Sequence, residues 1–312
     1  MYKRLELHNH TTESDSSITC EELIDLMVKD KADAFAITDH NTISGHGKIR
    51  RLLEDRGYPI DCIYGMEYTT YYGHILCLNL HEYVPWENIN LHKPELLFEA
   101  AKDKGALTGV AHPFSYGHPF ARGCRFDMKI TDFSSLDFIE IFNNPEPLHE
   151  VNERGLLWWE SLVLDGHRLA MTCGMDLHGK WDMGGQFATF IPGRKDGNTS
   201  QELADAVHSQ KTCISKGPVL QSNMDENNNS IAFSIVPTDK PGYYHSATAS
   251  YYLTLKTSAE TIQKEIQPDE TLYVDLAELK GEKIIIPKLY HQNTTIENLV
   301  CVGSVIYTQH NI

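Results

Sequence analysis

Seven short apolar runs are spread along roughly the first 215 residues: RLELH, AFAITDH, IDCIYGMEY, HILCLNL, ALTGVAHP, LDFIEIFN and RLAMTCGMD. Stretches of helical period lie between most of them. CEELIDLMVKDK follows Thr19, a residue suited to cap it; KPELLFEAAKDKG ends in Gly105, suited to a helix terminus; PLHEVNERGLLWWESLVLDG is a third. Repeated strand-then-helix units predict an α/β fold with a parallel sheet, open or closed into a barrel. In both forms, sites gather at the carboxyl ends of the strands. After KGPVLQSN the texture changes. The turn-rich DENNNS is followed by IAFSIV, ATASYYLTLKT, ETLYVDLA, EKIIIPKLY and LVCVGSVIYT, with no long helix. These β-branched and aromatic runs predict a small antiparallel β-sandwich. The expected division is residues 1–217 and 218–312.

Composition bounds the function classes. An apolar content of 41% is ample for a buried core, and a net charge of −16 argues against general nucleic-acid binding, which needs a basic face. Bound divalent cations would make the local field positive even in an acidic chain, so small phosphorylated substrates stay open. No apolar stretch approaches the ~18 residues of a membrane span, and charged residues enter at once in YKRLELHNH. A soluble, cytoplasmic protein is the expectation. The seven cysteines form no C-x-x-C pair, so buried free thiols are expected rather than a disulfide framework or a thiolate zinc site.

The His, Asp and Glu residues of the first part concentrate at strand ends. The first run ends in His8-Asn9-His10, with Asp15 in the following loop; the second ends in Asp39-His40, the third in Glu67, and His74 opens the fourth. His112 ends the fifth, and Asp176 and His178 follow a later one. A lone histidine at a strand end is an ordinary structural feature, and Asp15 alone would be a turn residue. Nine such groups on one end of one sheet are a different matter. Residues i and i+2 of a strand share a face, so His8 and His10 can serve one ion, as can Asp176 and His178. Imidazole with carboxylate suits zinc, iron or manganese, and the number of donors exceeds one coordination shell, implying two or three divalent ions. Asp39 is read as a supporting loop residue, and Glu140 in IEIFN as supporting or substrate-facing.

HNHTTESDS, ITDHN, GMEY, GH, AHP, IEIFN and GMDLHG, in this order, resemble the motifs of the PHP domain, named for polymerase and histidinol phosphatase. The resemblance covers roughly residues 1–215 and implies a distorted (β/α)7 barrel with two or three metal ions. By motif it assigns His8, His10, Glu67 and Asp176 to a first ion. Asp15, His40 and His178 fall to a second, and a bridging Glu67 with His74 and His112 to a third. LADAVHSQKTCISKGPVL and the β-rich tail resemble a subgroup related to carbaryl hydrolase, in which a β-sandwich follows the barrel.

Such a site can bring a bound water to a pKa near neutrality and clamp the attacking and leaving oxygens of a displacement. Hydrolysis of a small phosphorylated substrate profits most, with hydroxide near Glu67 as nucleophile and His178 or His74 near the leaving group. Arg122, His118, Lys180 and Arg194 are the expected phosphate-binding cations. The alternatives are a carboxylic ester, amide or carbamate hydrolase with the same metal site, and a non-catalytic metal-stabilised binding module.

Overall fold

The computed structural model describes residues 1–117, 122–225, 229–243 and 250–308, with the side chain of Arg122 outside the description. Seven strands form the first part: β1 (Tyr2–Glu6), β2 (Ala34–Ile37), β3 (Asp61–Thr70), β4 (Gly73–Leu78), β5 (Leu107–Val110), β6 (Phe138–Asn143) and β7 (Ala170–Gly174). They hydrogen-bond in sequence order, and a parallel bridge between Asn9 and Leu177, just beyond β1 and β7, brings the two outer strands together. Helices α1 (Cys20–Lys29), α2 (His46–Arg56), α3 (Glu95–Lys102) and α4 (Glu153–Leu164) lie in the connections, and α5 (Thr199–His208) follows them. Every one of the seven strands contributes to one apolar cluster, which includes Leu5, Leu7, Ala34, Ala36, Ile63, Leu76, Leu107, Phe138 and Ala170. Leu203, Ala206 and Val207 of α5 join that cluster and plug it.

Within the expected parallel sheet one strand runs the other way. β4 runs antiparallel to both β3 and β5. The cause is visible in the sequence: Thr70 pairs with Gly73, leaving only Tyr71 and Tyr72 to turn the chain. A parallel crossover needs a dozen or more residues, so this connection can only make a hairpin. Gly73 sits at φ +142°, a backbone conformation open to glycine. Because β4 is reversed, its first residues lie at the end of the sheet where β1, β2 and β3 finish.

Thr19 caps α1 through a reciprocal pair with Glu22. α2 is absent from the sequence expectations, and for a physical reason. Its buried residues are only His46 and Ile49, its Gly45 cap offers no side chain, and so it shows no apolar stripe. His46 donates to Gly65 O at 2.8 Å, a structural use.

β8 (Ala188–Pro192) runs antiparallel to β1, and β9 (Cys213–Ser215) pairs with β8. The tail supplies β10 (Val219–Asp225), β11 (Ser230–Val236), β12 (Tyr251–Lys256), β13 (Thr261–Ile266), β14 (Leu272–Asp275), β15 (Ile284–His291) and β16 (Leu299–Val302). One layer is β10-β11-β14; the other, β13-β12-β15-β16, continues through β9 and β8 into the first sheet. Residue 217 is therefore a change in chain texture rather than a break in the sheet. Phe190 and Cys213 share an apolar core with Val219, Phe233, Leu253 and Leu289. All seven cysteines are free; Cys62 and Cys124 are partly exposed and the others buried. Among the described residues no helix is long and apolar enough to cross a membrane.

Candidate metal centre

The nine expected donors come together at one end of the barrel. β1 and β2 continue past their regular ends because Asn9 ties them. Its Nδ2 donates to Glu6 O and Ala36 O, and its N–H to Thr38 Oγ1. This residue, the middle of His-Asn-His, escaped the sequence reading. The next loop is pinned by Asp39. Its carboxylate accepts from Thr11 N at 2.7 Å, Thr11 Oγ1 at 2.8 Å and Ser14 Oγ at 2.7 Å. That fixes the approach of Asp15.

Three groups of potential ligand atoms result, each with all its atoms within 4.8 Å of one another. The first is His8, His10, Glu67 and Asp176; the second is His10, Asp15, His40 and His178; the third is His40, Glu67 and His74. In the first, His8 Nε2 is 3.3 Å from Glu67 Oε2 and 3.4 Å from Asp176 Oδ1. His10 Nε2 is 2.9 Å from Asp176 Oδ1 and 3.4 Å from Glu67 Oε2. A tetrahedral ion with bonds of about 2.1 Å has ligand edges of about 3.4 Å, so these separations suit a shared cation. In the second, Asp15 Oδ1 lies 3.3 Å from His178 Nε2 and 3.6 Å from His40 Nε2. In the third, His74 Nδ1 is 2.9 Å from Glu67 Oε1. His112, expected here, falls outside the grouping in favour of His40, although its Nε2 is 3.0 Å from Glu67 Oε1.

Supporting partners aim the rings. Glu140 is fully buried and accepts from His8 Nδ1 at 2.9 Å and from the His112 N–H at 2.9 Å. His112 Nδ1 donates to Cys124 O and His178 Nδ1 to Asp176 O. In each ring the donated proton sits on Nδ1, which leaves Nε2 facing the centre. His112 and Asp176 hold positive φ, +26° and +48°, sparsely populated for residues with a Cβ. The Glu140 bond and the Asn9–Leu177 bridge hold these turns.

The donor set fits divalent cations. His8 Nε2 and Glu67 Oε2, which face the centre, are buried without a hydrogen-bond partner. Glu67 Oε2 lies 2.8 Å from His40 Nδ1 but lacks a hydrogen bond's geometry. Burial pushes the Glu67 carboxyl up, yet His74, His8 and the other imidazoles more than reverse this and hold it well below the usual carboxylate range. Asp176 is likewise held low against burial by His8 and His10. Burial pulls His112 down, but Glu67 and Asp176 lift it to about 9. His8 is raised against burial by Glu140, Glu67 and Asp176. Both carboxylates stay ionised and draw positive charge to this spot, which divalent ions would supply.

The expected phosphate-binding cations fare less well. Arg194 is a correction: Pro192 pairs with Tyr2 and Gly193 N donates to Met1 O, so it follows β8 out at the opposite end of β1. There it is 85% exposed beside Glu202. Lys180 is at the rim but its Nζ bonds Glu22 Oε1 at 2.7 Å. His118 lies outside the described residues. The backbone of Arg122 belongs to a short turn (Arg122–Cys124) against the centre, where a Cβ on Gly123 would come 3.5 Å from His74 Nε2.

Comparisons with known proteins agree with this layout. The PHP domain model matches residues 6–111. An uncharacterized protein of Methanocaldococcus jannaschii is 30% identical over 151 residues, which is 45% of this chain and 81% of that protein. The 5'-3' exoribonuclease Rnm of Escherichia coli is 34% identical over 79 residues, 24% of this chain and 27% of Rnm. A solved two-domain protein from Bacteroides vulgatus, described as containing a predicted PHP-like metal-dependent phosphoesterase, superposes with a TM-score of 0.58. It has 16% identity and covers 98% of this chain and 95% of its own, which shows a common two-domain fold.

Proposed function

Since the chain belongs to the PHP domain family, we propose that it is a metal-dependent phosphoesterase hydrolysing a small phosphorylated molecule at the mouth of the barrel. The observation that carries this is the constellation of three adjoining donor groups, two of which share the buried carboxylate of Glu67. Two or three divalent ions held by these groups would supply a nucleophilic water near neutral pH and neutralise charge on phosphate oxygens. The residues themselves do the rest. Glu67 and Asp176 remain ionised and fix the geometry, and Glu140 and Asn9 keep the histidine-bearing ends from relaxing. His178, 37% exposed, is the imidazole of the set most open to solvent, so the ion it would help hold lies nearest the mouth, where a leaving group would depart. Of the expected phosphate-binding cations this reading retains Arg122, because its backbone turn lies against the centre.

A second reading, hydrolysis of a carboxylic ester, amide or carbamate, is favoured by the rim. Tyr71, Tyr72, Tyr116 and Trp181 are exposed large side chains near the motif loops, and cations beside them are already engaged: Lys180 Nζ bonds Glu22, and Arg154 Nη1 donates to Tyr116 Oη. The test is a panel of phosphomonoesters, nucleotides, phosphodiesters including short RNA, and carboxyl esters. The protein is loaded in turn with manganese, zinc or iron and then stripped with a chelator. Phosphoester turnover that disappears on stripping and returns on reloading supports the proposal. Turnover of carboxyl esters alone would favour the second reading, and turnover unaffected by stripping would overturn the metal mechanism.

A further inference from the structure

The C-terminal domain carries no donor of the metal centre, yet it touches the segment that does. The connection from β7 to β8 holds Asp176 and His178 near its start and Met183, Gly184 and Gly185 near its end. The segment after β11 grips that end at three points. Lys240 is a buried lysine whose Nζ donates to Met183 O at 3.0 Å. Gly185 N donates to Pro241 O at 3.0 Å. Gly242 has φ +79°, and a Cβ on it would fall 2.2 Å from Gly185 N and 2.4 Å from Gly184 C. That approach admits only glycine. Burial pulls the Lys240 ammonium below the ordinary lysine value, while Glu6 and Asp30 favour its charge and Arg4 opposes it.

The grip reaches the ligands through packing. The Met183 side chain is buried in one apolar cluster with Met175 and Leu177, the two residues flanking Asp176. Leu177 in turn bridges to Asn9 between His8 and His10. Asp176 belongs to the first group and His178 to the second, whereas His40, Glu67 and His74 stand on the β2 and β3–β4 side. We propose that the C-terminal domain is a clamp for the Asp176–His178 loop, with Lys240 and Gly242 as positioning residues for the metal ions of the first two groups. The inference rests on the metal reading above and gives the appended sheets a role in it.

The experiment measures ion content per chain and chelator-competition affinity on full-length wild type, Lys240→Met, Gly242→Ala and Glu160→Gln. Glu160 ties the C-terminal domain to the barrel at a different place, on α4, through Lys288 and Lys256. Its variant therefore loosens the interface without touching the loop. Loss of outer partners costs roughly 10–100-fold in metal affinity, so at least a tenfold weakening is expected for Lys240→Met and Gly242→Ala. Glu160→Gln should keep wild-type occupancy although its melting temperature falls. Unchanged occupancy and affinity in both loop variants would overturn the clamp, as would an equal loss in Glu160→Gln. If Gly242→Ala does not fold, Lys240→Met alone decides, since it removes one donor and keeps a similar volume. A wild type that binds no ion would instead overturn the metal reading, and the clamp with it.

Discussion

Glu160→Gln is the perturbation whose size follows most directly from the structure. Glu160 is 0% exposed on the inner face of α4; Lys288 of β15 is 10% exposed, with Nζ 2.6 Å from Oε1, and Lys256 of β12 is 28% exposed on Oε2. The amide keeps the shape and removes the charge. Lys256 can turn to water, so its share resembles that of a partly exposed pair, below about 1 kcal/mol. Lys288 cannot. Removing one partner of a buried pair costs about 3–5 kcal/mol, so a loss near 3 kcal/mol is expected, read as a shift in the urea midpoint. Lys288→Met in the same chain should return about 2 kcal/mol, because the stranded charge is gone. The pH dependence has a definite sign. Burial pulls the Lys288 ammonium down and Glu160 more than reverses this, so its folded pKa lies above the ordinary lysine value. Its contribution is full below the unfolded value of about 10.4 and fades as pH rises through the folded one. In Glu160→Gln the main opposition to burial is gone and only Tyr290 still favours the charge, so the deficit against wild type should narrow as pH climbs toward 10. A loss under 1 kcal/mol, or single losses that simply add in the double variant, would refute the reasoning.

His8→Ala and Asp176→Ala should each abolish hydrolysis while the far-ultraviolet circular dichroism stays that of wild type; full activity in both after metal removal would sink the catalytic reading. Glu140→Gln should weaken metal binding roughly 10–100-fold in chelator competition, because it orients His8 and the His112 turn without facing the ions. Arg194→Ala, at the far end of the barrel, should leave kcat/KM within about twofold, whereas Arg122→Ala should lower it about tenfold or more, the size of one lost charge-assisted hydrogen bond.

The donors were legible because strand-end positions, residue type and i, i+2 spacing all report the same thing. The direction of β4 was legible too, in the two residues between Thr70 and Gly73, but a run of apolar residues does not itself show which way it points. Arg194 misled for the same reason. It follows an apolar run, and only the antiparallel pairing of β8 with β1 shows that the run ends at the wrong side of the barrel. α2 and the Asn9 tie were hidden because a polar helix has no periodic stripe, and because an asparagine between two histidines looks like a spacer. The Lys240 grip depends on contacts between residues 57 positions apart, which no local pattern encodes.

The partition of the donors follows from counting lone pairs. His10, His40 and Glu67 each appear in two of the three groups. A carboxylate can serve two ions through its two oxygens, but one imidazole nitrogen has one lone pair to give. His10 Nε2 is nearest to Asp176 and Glu67, which places it with the first group. His40 Nε2 faces Asp15 and His178, which places it with the second. The third group then keeps only Glu67 and His74 and needs another donor. His112 Nε2, 3.0 Å from Glu67 Oε1 and aimed by its Nδ1–Cys124 bond, is the nitrogen in reach. Sharing would thus return His112 to the third ion, although proximity alone groups His40 there. The consequence is measurable: His112→Ala and His40→Ala should each lower the ion content by one per chain, whereas an unchanged content in His112→Ala, or a loss of two ions in His40→Ala, would reverse the assignment.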